Sequence, residues 1–215
     1  MATEIKFCGM TRPQDAQMGA TLGASYIGVI FAGGPRHMTP AAAATVLQSV
    51  PASVRRVGVF DRLELDELLA LARDLNLAAV QLHGVVERGT ISRLRASFDG
   101  EVWSVLRLAN GELPHDAAAL FDDADAVVLE AHVPDRLGGT GVTLPWQKLV
   151  NRVRPLRDRR ARLVLAGGLR PENVCEAIDL LRPDVVDVSS GVETAPGIKD
   201  HARMRAFRDA VRDHT

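Results

Sequence analysis

The chain has 215 residues, 47% hydrophobic and 25% charged, a composition that suits a single folded domain over residues 1–215 and excludes a disordered or collagen-like chain. The formal net charge is −1 and the basic residues are scattered, which argues against nucleic acid or a membrane as partner and favours a small-molecule ligand. No window approaches the roughly 18 continuous apolar residues of a membrane span.

Eight short apolar runs predict β-strands, at residues 5–10, 26–31, 56–60, 78–83, 102–108, 126–131, 163–166 and 185–189. Helical spacing and start signals lie between them, from Pro13 onward and at 40–47, 64–75, 87–98 and 171–181, with weaker patterns at 115–121 and 146–156. Strands as continuously apolar as "LVLA" and "VVDV" are typical of a parallel sheet covered on both faces.

This alternation predicts an α/β fold, a (β/α)8 TIM barrel with eight parallel strands and outer helices. A doubly wound open sheet is the alternative, because the number of strands does not establish closure. Ligand-type residues follow the first, second, sixth, seventh and eighth strands. A barrel gathers all of these strand ends around one mouth, whereas an open sheet gathers only those near its switch point.

Two cysteines occur, far apart and without the spacing of a disulfide framework or metal site, which favours a reducing, cytoplasmic location and no bound metal. Cys8 ends the first strand in "KFCGMT", directly before Gly9, where the backbone turns outward. At this position the side chain either packs or reacts. Cys175 lies on a predicted helix and is interpreted as a packed hydrophobe.

Glycine-rich loops follow the last two strands. Gly167 and Gly168 in "LAGGLRPENV" allow close approach of an anion, and Ser190 and Gly191 in "DVSSGVE" add amides and a hydroxyl. Together they predict a phosphate site, which (β/α)8 barrels commonly build from these two loops. The alternative is that the glycines only allow tight turns.

Three further side chains are candidates at the same mouth. Arg36 in "FAGGPRHMT" suits two parallel hydrogen bonds to a carboxylate, although a solvated surface arginine is the alternative. Glu130 ends the sixth strand, where burying a carboxylate is costly unless it is paired or has a catalytic role. It is therefore either an acid or the partner of a cation such as Lys6. His83 in "VQLHG" is interpreted as a packing residue.

The ordered motifs "KFCGMT", "GVIFAGGPR", "GVF", "VQLHG", "GGTG", "LAGGL", "DVSSGVE" and "GIKD" span almost the whole chain. In this order they resemble phosphoribosylanthranilate isomerase. The resemblance implies a (β/α)8 barrel that performs an Amadori rearrangement on a phosphosugar substrate of tryptophan biosynthesis, without metal or organic cofactor. It does not specify whether the protein is a monomer or a homodimer.

The resemblance also implies roles for individual residues. Cys8 matches the family's general base, Arg36 matches the residue that holds the anthranilate carboxylate, and Gly167, Gly168, Ser190 and Gly191 lie in the matching phosphate loops. The departure is at the acid, because Glu130 stands where the family usually has aspartate, and its carboxylate is one methylene further from the backbone. Two smaller departures are Gly34 in place of a serine and Pro145 in place of an acidic residue.

Other phosphate-binding barrels are the nearest rivals. An indoleglycerol-phosphate synthase or a ribulose-phosphate epimerase would share the late glycine loops but lack "CGMT" and "GGPR", and both are present. A noncatalytic phosphosugar-binding relative, in which the acid has drifted and binding alone is retained, is the alternative from another class. Glu130 is the feature that speaks for it.

Overall fold

The computed structural model describes residues 2–61, 64–84, 89–109, 111–132 and 142–214. Within these residues the barrel strands are β1 (Glu4–Phe7), β2 (Tyr26–Ile30), β3 (Arg55–Phe60), β4 (Ala79–Leu82), β5 (Glu101–Leu108), β6 (Ala126–Ala131), β7 (Arg162–Leu165) and β8 (Val185–Val188). They are parallel, pair in chain order, and close into a barrel through pairing of β8 with β1. This closure confirms the predicted (β/α)8 barrel over the open sheet.

Helices connect the strands on the outside of the barrel. They are α1 (Pro13–Thr21), α2 (Pro40–Gln48), α3 (Leu65–Asp74), α4 (Thr90–Arg95), α5 (Ala117–Asp123), α6 (Trp146–Val153), α7 (Val174–Leu181) and α8 (His201–Arg212). Two short 3-10 helices, Arg154–Asp158 and Ser190–Val192, and a two-stranded hairpin of β9 (Glu193–Ala195) and β10 (Ile198–Lys199) complete the described elements.

The predicted helices differ from the observed ones mainly at their ends. The helix predicted at 171–181 begins at Val174, because the Asn173 side chain accepts from the Arg170 amide and donates to the Gly168 carbonyl, which holds the preceding residues in a turn. The helix predicted at 87–98 is observed as Thr90–Arg95, and residues 85–88 lie outside the described ranges. No helix was predicted for residues 201–212, where α8 is found after the eighth strand.

The barrel interior is a separate apolar cluster from the layer between strands and helices. Its buried members are Tyr26, Val57, Ala79, Trp103, Ala126, Val128, Val164, Ala166 and Val185. The Tyr26 and Trp103 rings pack edge to face with centroids 4.8 Å apart and fill this space with rigid groups. The interior is therefore a packed core, and a ligand can enter only at an end.

The carboxyl ends of the strands carry the residues that the sequence suggested for chemistry. Cys8 follows the last residue of β1, and Glu130 is the penultimate residue of β6. His83, interpreted from the sequence as a packing residue, follows the last residue of β4. The predicted glycine loop at 138–141 lies outside the described residues. No helix among the described residues is both long and apolar enough to cross a membrane.

Candidate active site

A cavity of about 750 Å³, counted with its opening to solvent, lies at the carboxyl ends of the strands. All seven predicted site residues line it: Cys8, Arg36, Glu130, Gly167, Gly168, Ser190 and Gly191. The barrel thus brings together groups that are as much as 183 positions apart in the sequence, the separation of Cys8 and Gly191. Sites of (β/α)8 barrels form at this face.

Cys8 is positioned by its neighbours on β1 and β2. It is a free thiol, buried with 6% of its surface exposed, and its amide donates to the Val188 carbonyl at 2.9 Å. Gly28 on β2 makes room for it, since a Cβ on Gly28 would lie 2.9 Å from Cys8 Sγ. The glycine is therefore needed for close approach of the two strands around the sulfur.

Lys6, two residues before Cys8, lies fully buried inside the barrel. Its Nζ forms a 2.8 Å ion pair with Asp187 Oδ2 on β8, whose residue lies opposite Lys6 in the strand register. Lys6 was one candidate partner for Glu130, and the structure gives it Asp187 instead. The second oxygen of this carboxylate, Oδ1, is buried and has no hydrogen-bond partner among the described residues.

The protonation state of Cys8 is set by opposing effects. Burial raises the pKa of the Cys8 thiol, and the nearby carboxylate of Asp187 raises it further, while the ammonium of Lys6 lowers it. The net direction is upward from the usual value of a cysteine. Cys8 is therefore held mainly as a thiol at neutral pH, and Lys6 is the largest contribution that favours the thiolate.

Glu130 and His83 face each other across the mouth. Glu130 is 6% exposed, and its Oε2 lies 3.7 Å from His83 Nε2. Burial, together with the positive charges of Arg107 and Lys6, lowers the pKa of His83 to about 4, so the ring is neutral at pH 7 and the contact is not an ion pair there. His83 lines the cavity and contacts the candidate acid, so it is more than the packing residue that the sequence suggested.

Arg36 follows β2 and is 8% exposed at the edge of the cavity. Its Nε donates to Glu193 Oε1 at 2.9 Å, and its Nη2 donates to Glu193 Oε2 at 2.6 Å. This arginine is therefore not a solvated surface residue. Its orientation is fixed by a two-bond contact on one edge of the guanidinium.

The two predicted phosphate loops touch each other. Gly167 and Gly168 have φ of 84° and 65°, in the left-handed region, and turn the chain away from β7. A Cβ on Gly191 would collide with the carbonyl oxygen of Leu169, so only glycine allows this contact. A Cβ on Gly167 would lie 3.6 Å from Glu130 Cγ, which places the longer acidic side chain directly beside the first loop.

Three charged residues at this end of the barrel received no role from the sequence: Asp187, Glu193 and Lys199. Each is buried, with relative exposures of 8%, 7% and 3%. A charge within the apolar run "VVDV" was the available signal for Asp187, because a buried charge needs a partner. Among the described residues, no group of three or more His, Cys, Asp and Glu side chains is arranged to hold a metal ion.

The closed parallel barrel, with a cysteine, a carboxylate and an oriented arginine at its mouth, defines a (β/α)8-barrel enzyme that acts on a small polar ligand. Residues 5–210 match the family model described as N-(5'phosphoribosyl)anthranilate (PRA) isomerase. The chain belongs to this isomerase family.

Individual relatives agree over nearly the full length. An N-(5'-phosphoribosyl)anthranilate isomerase from Chromohalobacter salexigens is 40% identical over 215 residues, covering 99% of this chain and 95% of the relative. The crystal structure of the phosphoribosyl anthranilate isomerase of Thermotoga maritima superposes with a TM-score of 0.87 at 33% identity, covering 98% of this chain and 99% of that one. A further isomerase structure, in complex with reduced 1-(o-carboxyphenylamino)-1-deoxyribulose 5-phosphate, has a TM-score of 0.83 at 32% identity, with 98% and 99% of the two chains covered.

Proposed function

We propose that this chain converts N-(5'-phosphoribosyl)anthranilate into 1-(2-carboxyphenylamino)-1-deoxyribulose 5-phosphate, an aldose-ketose isomerisation of tryptophan biosynthesis. Cys8 is the general base and Glu130 is the general acid. Two ionisable side chains suffice for this rearrangement, because it only moves protons and needs no redox partner.

Substrate recognition uses the two ends of the cavity. Arg36 binds the anthranilate carboxylate through the donors that Glu193 leaves available. The loops of Gly167, Gly168, Ser190 and Gly191 receive the phosphate, as expected for an anion beside backbone amides after the last two barrel strands. Binding at both ends places the ribose between Cys8 and Glu130.

The reaction begins with ring opening. Protonated Glu130 donates to the furanose oxygen, the bond between that oxygen and C1' breaks, and the nitrogen lone pair forms an iminium at C1'. The thiolate of Cys8, the minor form at neutral pH that Lys6 favours, then removes the proton on C2'. The electrons of that C–H bond form the C1'–C2' double bond and return the iminium electrons to nitrogen, and the resulting enolamine tautomerises to the ketone.

The observation that carries this proposal is the convergence of Cys8 and Glu130 on one cavity. Cys8 follows β1 and Glu130 lies on β6, three strands away around the barrel, and both are almost fully buried. A buried thiol and a buried carboxylate that share a cavity with an oriented arginine suit a reaction with one base and one acid.

The test is the loss of substrate fluorescence on turnover, with the substrate generated in place. We expect the unmodified protein to turn over, and Cys8→Ala and Glu130→Ala to lose about 100- to 10,000-fold in kcat, the range for removal of a general acid or base. Cys175→Ala is the matched control, because this second cysteine lies on α7 with its Sγ against the Ala210 carbonyl, far from the cavity.

Two outcomes would contradict the proposal. An active Glu130→Ala variant would show that another group is the acid. A folded, unmodified protein that binds the product analogue, reduced 1-(o-carboxyphenylamino)-1-deoxyribulose 5-phosphate, but shows no turnover would instead support a noncatalytic phosphosugar-binding relative. A cytoplasmic location and a monomeric or homodimeric state remain predictions, to be checked by fractionation and by sedimentation.

A further inference from the structure

Glu193 and Lys199 form a buried charged cluster with Arg36 just outside the cavity wall. The exposed fractions of their side chains are 4%, 0% and 9% for Glu193, Lys199 and Arg36. Lys199 Nζ donates to Glu193 Oε1 at 2.7 Å. Arg36 donates to both oxygens of the same carboxylate, from Nε to Oε1 and from Nη2 to Oε2. Arg36 lines the cavity, whereas Glu193 and Lys199 do not, so these two act only through other residues.

The contact with Glu193 determines which donors Arg36 can offer to a ligand. A guanidinium has five N–H groups, and Glu193 takes the one on Nε and one on Nη2. Three donors remain, including both on Nη1, enough for a two-bond contact with a second carboxylate. Gly9 provides the space for this arrangement, because a Cβ there would lie 2.6 Å from Arg36 Cδ.

Lys199 connects the same cluster to the main chain of the candidate base. Its Nζ donates to the Cys8 carbonyl at 2.6 Å and to the Ser189 carbonyl at 3.1 Å, in addition to Glu193. Three oxygen acceptors match the three N–H groups of an ammonium. Burial lowers the pKa of Lys199 below its usual value, although the Glu193 carboxylate opposes that effect. The three acceptors are those that an ammonium needs.

The hairpin that carries these residues is fixed against the loop after β1 and against the first turn of α1. The Lys199 amide donates to Asp15 Oδ2 at 3.1 Å, and Thr11 Oγ1 donates to the Gly197 carbonyl at 2.5 Å. On the other side, Arg203 Nη1 donates to the Glu193 carbonyl at 2.6 Å. Both strands of the hairpin are therefore held, so Glu193 and Lys199 occupy defined positions.

The charge of the cluster also suits its location. Burial raises the pKa of Glu193, but the hydrogen bonds and charges of Arg36 and Lys199 outweigh it, so the pKa lies below its usual value and the carboxylate is ionised at neutral pH. Two cations and one anion leave a single positive charge at the cavity edge, on the side of Arg36. This net positive charge matches the single negative charge of one ligand carboxylate.

We propose that Glu193 and Lys199 are positioning residues for the isomerisation: Glu193 orients Arg36 toward the anthranilate carboxylate, and Lys199 holds the backbone that carries Cys8. This inference rests on the proposed function for the identity of the substrate. It assigns a role to the "GIKD" hairpin, which lies outside the cavity and takes no part in proton transfer.

The first test separates carboxylate recognition from general folding. Inhibition constants are measured for reduced 1-(o-carboxyphenylamino)-1-deoxyribulose 5-phosphate and for the same compound without the carboxyl group, with unmodified protein, Glu193→Gln and Glu193→Asp. We expect Glu193→Gln to raise the inhibition constant of the carboxylated inhibitor about tenfold or more, the usual effect of losing a hydrogen bond to a charged group. The inhibition constant of the compound without the carboxyl group should change less than about twofold. Glu193→Asp should lose less affinity for the carboxylated inhibitor, and it serves as the test variant if Glu193→Gln does not fold.

A double substitution tests whether Glu193 acts through Arg36. In an Arg36→Ala background, Glu193→Gln should change the constant for the carboxylated inhibitor less than about twofold, because the residue it orients is gone. Equal weakening of both inhibitors, or additive effects of the two substitutions, would overturn the proposal. If the unmodified protein distinguishes the two inhibitors but has no turnover, the proposed function fails while the orientation of Arg36 is still tested.

Lys199 is tested by kcat and by rescue. Lys199→Met should lower kcat about tenfold or more at saturating substrate, because a small displacement of the base is costly, and Lys199→Arg should recover part of it. Folding is checked by near-UV circular dichroism. A folded Lys199→Met protein with an unchanged kcat, or a Lys199→Arg protein no more active than Lys199→Met, would contradict the positioning of Cys8 by Lys199.

Discussion

Lys6 Nζ lies 2.8 Å from Asp187 Oδ2 inside the barrel, and the exposed fractions of the two side chains are 0% and 7%. The pair joins β1 to β8 directly below the cavity. Removing one partner of a buried ion pair leaves an unpaired charge in a poorly solvated site. The pair also holds the ammonium of Lys6 near Cys8, the residue after the end of β1, and this ammonium favours the thiolate.

The ionisation of Cys8 can be measured by its rate of alkylation with iodoacetamide, because only the thiolate reacts. In a Cys175→Ala background, we expect the rate to rise with pH through a pKa above that of a cysteine in a short peptide, since burial disfavours the thiolate. A midpoint below that of the peptide would show that Lys6 outweighs burial.

Lys6→Met should move that alkylation midpoint to still higher pH, because it removes the largest contribution that favours the thiolate. It should also lower the free energy of unfolding by about 3 to 5 kcal/mol, since Asp187 is left buried without its cation. Urea unfolding at pH 7 measures this loss. Lys148→Met is the matched control, because Lys148 is exposed on α6, and it should change neither quantity.

Gly28 is predicted to be essential for the position of the Cys8 sulfur. In Gly28→Ala the new methyl group would meet Cys8 Sγ at 2.9 Å, so we expect a lower melting temperature and about a tenfold or greater loss of kcat from displacement of the proposed base. The double variant Gly28→Ala/Cys8→Ala separates the two effects. Because it removes the sulfur, it should regain much of the melting temperature lost by Gly28→Ala, and a double variant no more stable than the single one would place the strain elsewhere.

The neutral His83 ring makes the barrel sensitive to acid. The pKa of His83 is lowered to about 4 in the folded chain, against an ordinary value near 6.5, so the unfolded chain binds more protons between these values. Stability is therefore fully present above about pH 6.5 and is lost as the pH falls toward 4. The loss between pH 7 and pH 4.5 should be smaller by about 2 kcal/mol in His83→Gln, measured by urea unfolding. Equal losses in both proteins would mean that other groups cause the acid sensitivity.

The sequence predicted the barrel because the apolar strands are distinct, and most predicted ends fall within one or two residues of the observed ones. α8 was missed because it is polar around most of its surface, with only Met204, Phe207 and Val211 buried. Its start depends on a cap at Asp200, which accepts from two backbone amides. A single capping residue before an arginine-rich segment is a weak signal.

The candidate site was only partly accessible from the sequence. Strand ends converge in any barrel, so Cys8, Arg36, Glu130 and the glycine loops could be placed at one mouth. The ion-pair partner of Lys6 could not be predicted from the sequence, because it depends on the register between β1 and β8. The cluster of Arg36, Glu193 and Lys199 likewise needs the folded hairpin, since the contact between Arg36 and Glu193 spans 157 residues of sequence.

The strongest test of the site concerns Glu130, the proposed acid, whose side chain is one methylene longer than that of aspartate. The longer side chain runs past Gly167, with Cγ 3.6 Å from the position a Cβ would take there, so Gly167 leaves room for the extra methylene. Glu130→Asp should therefore lower kcat about tenfold by drawing the acid back from the ring oxygen, while Glu130→Gln, which cannot donate an acidic proton, should lose about 100- to 10,000-fold. The inhibition constant of the product analogue should change little in either variant, because the carboxylate and phosphate contacts are retained. If Glu130→Asp were more active than the unmodified protein, the cavity would suit an aspartate acid better than the glutamate that is present.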